Sequence, residues 1–328
     1  MGILGSLFGG SAKTPLDPCE GHPLCAEGLS ALASEDWHKL TQLYTVQQSS
    51  DRYHWLQGIG MSVPLDFSIR NIPDGAVSDT ILGAIWTCLA FRFRGASVAS
   101  QVSETAAMDM WTALEYAEAY LSDARNKLPD DTVIPSLMLR CALGSETYRD
   151  RLDELTSAAM ATPEHCLFGA FNALTCKTEK WLGSRDKMWR FAISVQDNPP
   201  NAAWLGLTAR AYIEDWLWFA GFEDDKDARN AFQKDYRSSD YNSKIEALDD
   251  AFWAGYAREI QRSELMFAHN NFGGLLSNLG LRERAKPHIE AIGRHRASTP
   301  WAYTHSGDDT LNSWNSVRKA VGLPKLDD

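Results

Sequence analysis

SETAAMDMWTALEYAEAYLSDARNKLP, residues 103–129, decides the fold. Met110, Leu114, Ala117, Leu121 and Ala124 recur at steps of three and four, the spacing that lines one face of an α-helix. Ser103 stands where a hydroxyl can cap the first turn, and Pro129 stops the run because it has no amide to donate. Upstream, Ser78 opens a similar run with Ile81, Ile85, Trp86, Leu89 and Phe93. Downstream, helical spacing continues over 132–142, 145–161 and 163–177, where Thr162-Pro163-Glu164 reads as a cap, a first-turn proline and an acidic first turn. Ser184 opens the next run, with Met188, Phe191 and Val195 inward, and Pro199-Pro200 ends it. Almost nothing alternates with period two, so the expected class is all-α.

The pattern extends to both ends. Residues 24–60 carry Trp37, Leu40, Leu43 and Tyr44 on one face, then Trp55, Leu56 and Ile59, with Ser34 and Ser50 as candidate caps. Residues 63–77 hold Pro64, Pro73 and Asp74-Gly75, a loop and a possible boundary. From 201 to 296, helices are expected up to the aromatic run Trp216-Leu217-Trp218-Phe219, then after Glu223, and at 243–260, 263–279 and 282–295, with a polar linker at 236–243. Pro129, Pro163 and Pro199 lie 34 and 36 residues apart, close to the tetratricopeptide period. The expected architecture is antiparallel helix pairs stacked as a tetratricopeptide-like α-solenoid or an irregular helical array. It comprises a flexible segment 1–23, a helical-repeat domain 24–300, and a tail 301–328 with a short helix.

Composition narrows the function. Of 328 residues, 43 are acidic and 32 basic, for a net charge of −11. A nucleic-acid binder draws its affinity from Lys and Arg on phosphates, so nucleic acid is not an expected partner. Six cysteines are too few for a disulfide scaffold. Residues 1–15 lack the basic start and apolar run of a secretory signal, and no run of 18 apolar residues appears. Gly2 to Phe8 fits an acylation pattern, but one acyl chain holds a membrane only marginally, so a membrane partner is not expected. The expected setting is cytoplasmic.

Three stretches carry a resemblance. They are Phe93-Arg94-Gly95 with Ala99, Val102, Leu114, Ala117-Glu118, Leu121, Ala124, Pro129 and Asp131; Lys180-Trp181-Leu182-Gly183-Ser184 with Met188 and Phe191-Ala192; and Ala211-Tyr212-Ile213-Glu214 with Trp216. In these, residues 34–220 resemble a family of uncharacterised bacterial helical-repeat, tetratricopeptide-like proteins. Ile193 departs from it, standing where a basic residue is expected. The resemblance implies a helical-pair fold and a bacterial cytoplasmic origin, and implies no chemistry.

Four constellations need weighing. Cys19, His22 and Cys25 supply three zinc-type ligands, one short of a closed site, so no metal or other cofactor is expected. In Lys180 to Ser184, Trp181 anchors a turn, Gly183 suits a positive φ and Ser184 caps a helix, the stronger reading; alternatively Trp181, Gly183 and Ser184 line a ligand pocket with Lys180 and Arg185. Arg94 with Glu118, and Arg210 with Glu214 at i,i+4, read as internal ion pairs; on a concave face, Arg94, Arg140 and Arg210 could instead hold a partner's carboxylate or a phosphate. Arg282, Arg284, Lys286, His288, Arg294, His295 and Arg296 form a basic patch that could meet an acidic partner or the chain's own Glu223 to Asp227. No nucleophile elbow, phosphate loop or metalloprotease helix is present, and His269-Asn270-Asn271 with Gly273-Gly274 reads as a polar turn. The expected function is therefore a non-catalytic module, not an enzyme, binding a protein or peptide through Arg94, Arg140, Lys180, Trp181, Arg210, Glu214 and Trp216. The alternative is a helical enzyme or small-molecule sensor with a Trp-lined pocket.

Overall fold

Ser103 caps as expected: its Oγ accepts the Ala106 amide at 3.2 Å, and helix α5 (Glu104–Lys127) follows. All five residues of its apolar stripe are buried. The computed structural model describes residues 17–95, 101–304 and 311–326, and over these it is all-α, with sixteen α-helices and no strand. The apolar segment Gly2 to Phe8 lies outside the described residues. Two compact units divide the chain, one of residues 21–176 and one of residues 1–20 with 177–328.

The first unit runs α1 (Cys25–Ala33), α2 (Trp37–Thr45), α3 (Ser49–Ser62), α4 (Ala76–Arg94), α5, α6 (Val133–Cys141), α7 (Leu152–Ala159) and α8 (Leu167–Cys176). Helix α4 is its spine and packs on α3 and α5. A Cβ at Gly83 would come within 2.7 Å of the Leu121 side chain, so α4 and α5 approach closely only because that position is glycine. By length and hydropathy α4 could cross a membrane, yet Ile81, Leu82, Ile85 and Leu89 are fully buried within the unit. The expected loop at 63–77 connects the packed helices α3 and α4, and the division between units falls at 176/177 instead.

Several expected helix starts move. Ser34 ends α1, and Asp36 caps α2 by accepting the Lys39 amide. Ser50 lies inside α3, where its Oγ accepts the amide of Leu167 at the start of α8. Thr162-Pro163-Glu164 forms no helix start: the Thr162–Pro163 peptide is cis and α8 begins at Leu167.

The second unit runs α9 (Arg185–Asp197), α10 (Leu205–Gly221), α11 (Lys226–Tyr236), α12 (Ser239–Ala254), α13 (Arg262–Asn278), α14 (Arg282–Ile292), α15 (Trp301–Thr304) and α16 (Leu311–Ala320). Helix α13 packs on α10, α14 and α15. His269-Asn270-Asn271, expected as a turn, is buried mid-helix in α13. Asn270 is held there because its Oδ1 accepts from Trp301 Nε1 at 2.7 Å and from the Ala297 amide at 3.1 Å. The expected tail is core: Trp301 and Trp314 are fully buried and pack edge to face at 4.8 Å. The expected linker at 236–243 shrinks to Arg237 and Ser238, because Ser238 caps α12.

Candidate functional site

The turn before α9 brings three of the expected site residues to one point. Lys180 Nζ lies 2.6 Å from Glu214 Oε2, while Arg210 Nε and Nη2 both donate to Glu214 Oε1 at 3.0 and 2.8 Å. Both cations also stand over the Tyr303 ring, at 4.8 and 5.2 Å from its centroid. Burial alone would raise the Glu214 pKa, but Lys180 and Arg210 outweigh it and hold the carboxyl below its usual range. The space left beside this knot, about 10 Å³, is too small for a partner group. Lys180, Arg210 and Glu214 thus satisfy one another.

The turn itself corrects one expectation. Gly183 does not adopt a positive φ. It must be glycine because a Cβ there would sit 2.1 Å from the Lys177 carbonyl oxygen, in the turn closed by Ser184 N–H to Lys177 O and by the Trp181 and Gly183 amides to Thr178 O. Ser184 caps α9 through the Lys187 amide, as expected. Trp181 is half-buried in the same turn.

An open groove of about 760 Å³ runs along α9, α10 and the α11–α12 junction. Trp189, Tyr212 and Tyr241 form an edge-to-face ladder along it, with centroids 4.7 and 5.4 Å apart. Ile193 (48% exposed), Lys244, Asp186 and Asp235 also line it, and Arg185 makes a two-pronged ion pair with buried Asp215. Trp189 Nε1, Thr208 Oγ1 and Tyr241 Oη are sealed against its wall without a hydrogen-bond partner among the described residues. A buried polar group left in that state costs about 1–3 kcal/mol.

A second constellation was not expected. Asp249 Oδ1 lies 2.8 Å from His288 Nε2, and His288 Nδ1 lies 3.0 Å from His269 Nδ1. Arg284 Nη1 donates to Asp249 Oδ2 at 3.0 Å and to Asp250 at 2.7 Å. Phe252, Trp253, Tyr256 and Phe272 surround the imidazoles. Burial and then the neighbouring His288 push the His269 pKa down to about 3. Burial also lowers that of His288, against the pull of Asp249. With His288 neutral and donating from Nε2 to the carboxylate, its Nδ1 accepts from His269, which fixes both tautomers. These contacts also resolve the basic patch. His288 is fully buried, and Arg284 meets Glu246, Asp249 and Asp250 on α12 rather than Glu223 to Asp227.

Of the other expected site residues, Trp216 lines a separate hollow in the second unit. Arg94 and Arg140 belong to the first unit, where Arg140 stacks on Phe91 at 4.1 Å and Arg94 Nη1 donates to the Gly95 carbonyl. Burial and then the Arg140 charge lower the Arg94 pKa. Glu118, its expected partner, accepts from Thr147 Oγ1 at 2.8 Å. Cys19 and Cys25 are disulfide-bonded and, with His22, buried, so the two sulfurs are not free thiolates for zinc. Cys88, Cys141, Cys166 and Cys176 are free thiols; burial raises Cys88 to about 11 and Cys141 to about 12.

No protein-family model, curated protein or solved structure matches this chain. The site therefore rests on its own geometry. Sequence reasoning missed the groove because its wall combines α9 with residues of α10, α11 and α12. The only signal was Ile193, an apolar residue on the outer face of α9.

Proposed function

We propose that the chain is a non-catalytic binding module of helix pairs, tetratricopeptide-like in plan, that holds an extended peptide segment in the groove of the second unit. Consecutive helices packed in pairs, α4 with α5, α9 with α10 and α13 with α14, support the plan. The observation that carries the function is the groove: open along its length, floored by an aromatic ladder, lined by both charge signs, and backed by three polar atoms without partners. Peptides suit such a wall because their apolar side chains pack on the rings and their amides offer both donors and acceptors. Small rotations of Trp189, Thr208 or Tyr241 would let a bound peptide pair these groups.

Selection from a displayed peptide library on the immobilised chain tests this. Ile193→Glu and Lys244→Glu alter exposed positions, so folding is retained. Each should weaken selected peptides about tenfold, the effect of removing one good interface contact. Peptides indifferent to both substitutions would sink the proposal. The proposed setting is the bacterial cytoplasm. A second reading, a small-molecule sensor, is favoured by the hollow beside Trp216.

A further inference from the structure

A hollow of about 440 Å³ lies among α10, α11, α12 and the end of α13, within the size range of ligand sites. Trp216, Phe219 and Tyr236 give it aromatic walls, and Arg237 stands at its rim. It shares Phe219, Ala220 and Gln233 with an open trough of about 330 Å³ that reaches Lys226 and Arg229. None of the residues lining either space is Asp or Glu, in a chain carrying a net −11. Among the described residues, Lys226, Arg229 and Arg237 have no ion-pair partner. The nearby Asp225 carboxylate is used as a cap, accepting the amides of Asp227 and Ala228. Lys226, Arg229 and Arg237 set three cations along an aromatic-walled trough, beside surfaces on which a ring can stack.

We propose that this hollow and its trough bind a small planar aromatic anion. The ring lies against Trp216 and Tyr236. A short ligand places a carboxylate on Arg237, and a longer one places a phosphate on Lys226 and Arg229. Arginine suits either oxyanion because its guanidinium can donate two parallel hydrogen bonds. The site rests on the small-molecule reading and is independent of the peptide groove, so failure here leaves the library test standing.

Calorimetry on the full chain tests the site with four probes: indole-3-carboxylate, adenosine monophosphate, and their neutral counterparts indole-3-carboxamide and adenosine. One of the two anions should bind at least tenfold tighter than its neutral partner and quench tryptophan fluorescence. Arg237→Gln should weaken the carboxylate by about tenfold, the loss expected for one charge-assisted contact, or Lys226→Gln with Arg229→Gln should weaken the phosphate by about a hundredfold, for two. Ala220→Trp, at an exposed position shared by both spaces, should abolish binding while the helical circular dichroism stays unchanged. Equal affinity for anion and neutral partner, binding that survives Ala220→Trp, or no saturation by either anion below about 1 mM would each overturn the proposal.

Discussion

Glu214 is a carboxylate with 2% side-chain exposure facing two cations. A buried ion pair is weak evidence for stability, but removing one partner strands the others in a low-dielectric site at about 3–5 kcal/mol. Glu214→Gln strands both Lys180 and Arg210. The urea midpoint should fall by an amount equivalent to about 3–5 kcal/mol, and a loss below about 1 kcal/mol, the size of an exposed ion pair, would show that the knot is dispensable. Half of this knot was legible in the sequence. Arg210 and Glu214 stand one helical turn apart on an apolar helix, and that spacing alone pairs them. Lys180 is 34 residues away from Glu214, and no local pattern joins them. Gly183 was legible as a required glycine but for the wrong cause: the cause is the Lys177 carbonyl, a close approach visible only in three dimensions.

Helices α12, α13 and α14 carry the Asp249–His288–His269 chain, and their packing should give the second unit a pH dependence. An ordinary histidine titrates near pH 6.5, whereas His269 in the folded chain titrates at about 3. Below about pH 6.5 the unfolded chain therefore binds a proton that the folded chain refuses, and stability falls as the pH drops toward 3. It is fully present above about pH 6.5. Each such histidine contributes a slope of at most about 1.4 kcal/mol per pH unit. The groups facing His269 and His288 are Asp249 of α12 and, through it, Arg284 of α14; His295, also lowered by burial, adds to the slope. Urea midpoints at pH 8, 7, 6 and 5 measure the slope, and His269→Gln should flatten it. An unchanged slope in that variant would remove His269 from the account. The sequence hid this element because polar residues and paired glycines in one stretch suggest a turn. They stay helical because Asn270 finds its partners in the Ala297 amide and in Trp301, the latter supplied from what had looked like a tail.

For the whole molecule, the all-α class was legible and the division into units was not. Apolar stripes at helical spacing run without a break across the division at 176/177, and nothing in composition changes there. The proline steps do not reveal it either: Pro129 follows α5, Pro163 lies in the loop before α8, and Pro199 follows α9. Only the packing separates the units, because each closes its own core. In the first, fully buried Trp55, Leu56, Ile59, Ile81, Leu82 and Leu121 come from α3, α4 and α5 alone. In the second, Phe252, Phe272, Trp301 and Trp314 belong to a cluster built entirely from residues 202 onward. A domain of about 150 residues buries enough of its surface to fold alone. A fragment of residues 21–176 should therefore unfold in one cooperative urea transition with the helical circular dichroism of its eight helices. A gradual, non-cooperative transition would mean that the first unit's core is not self-sufficient, and that the uninterrupted helical pattern, rather than the two separate cores, describes how the chain folds.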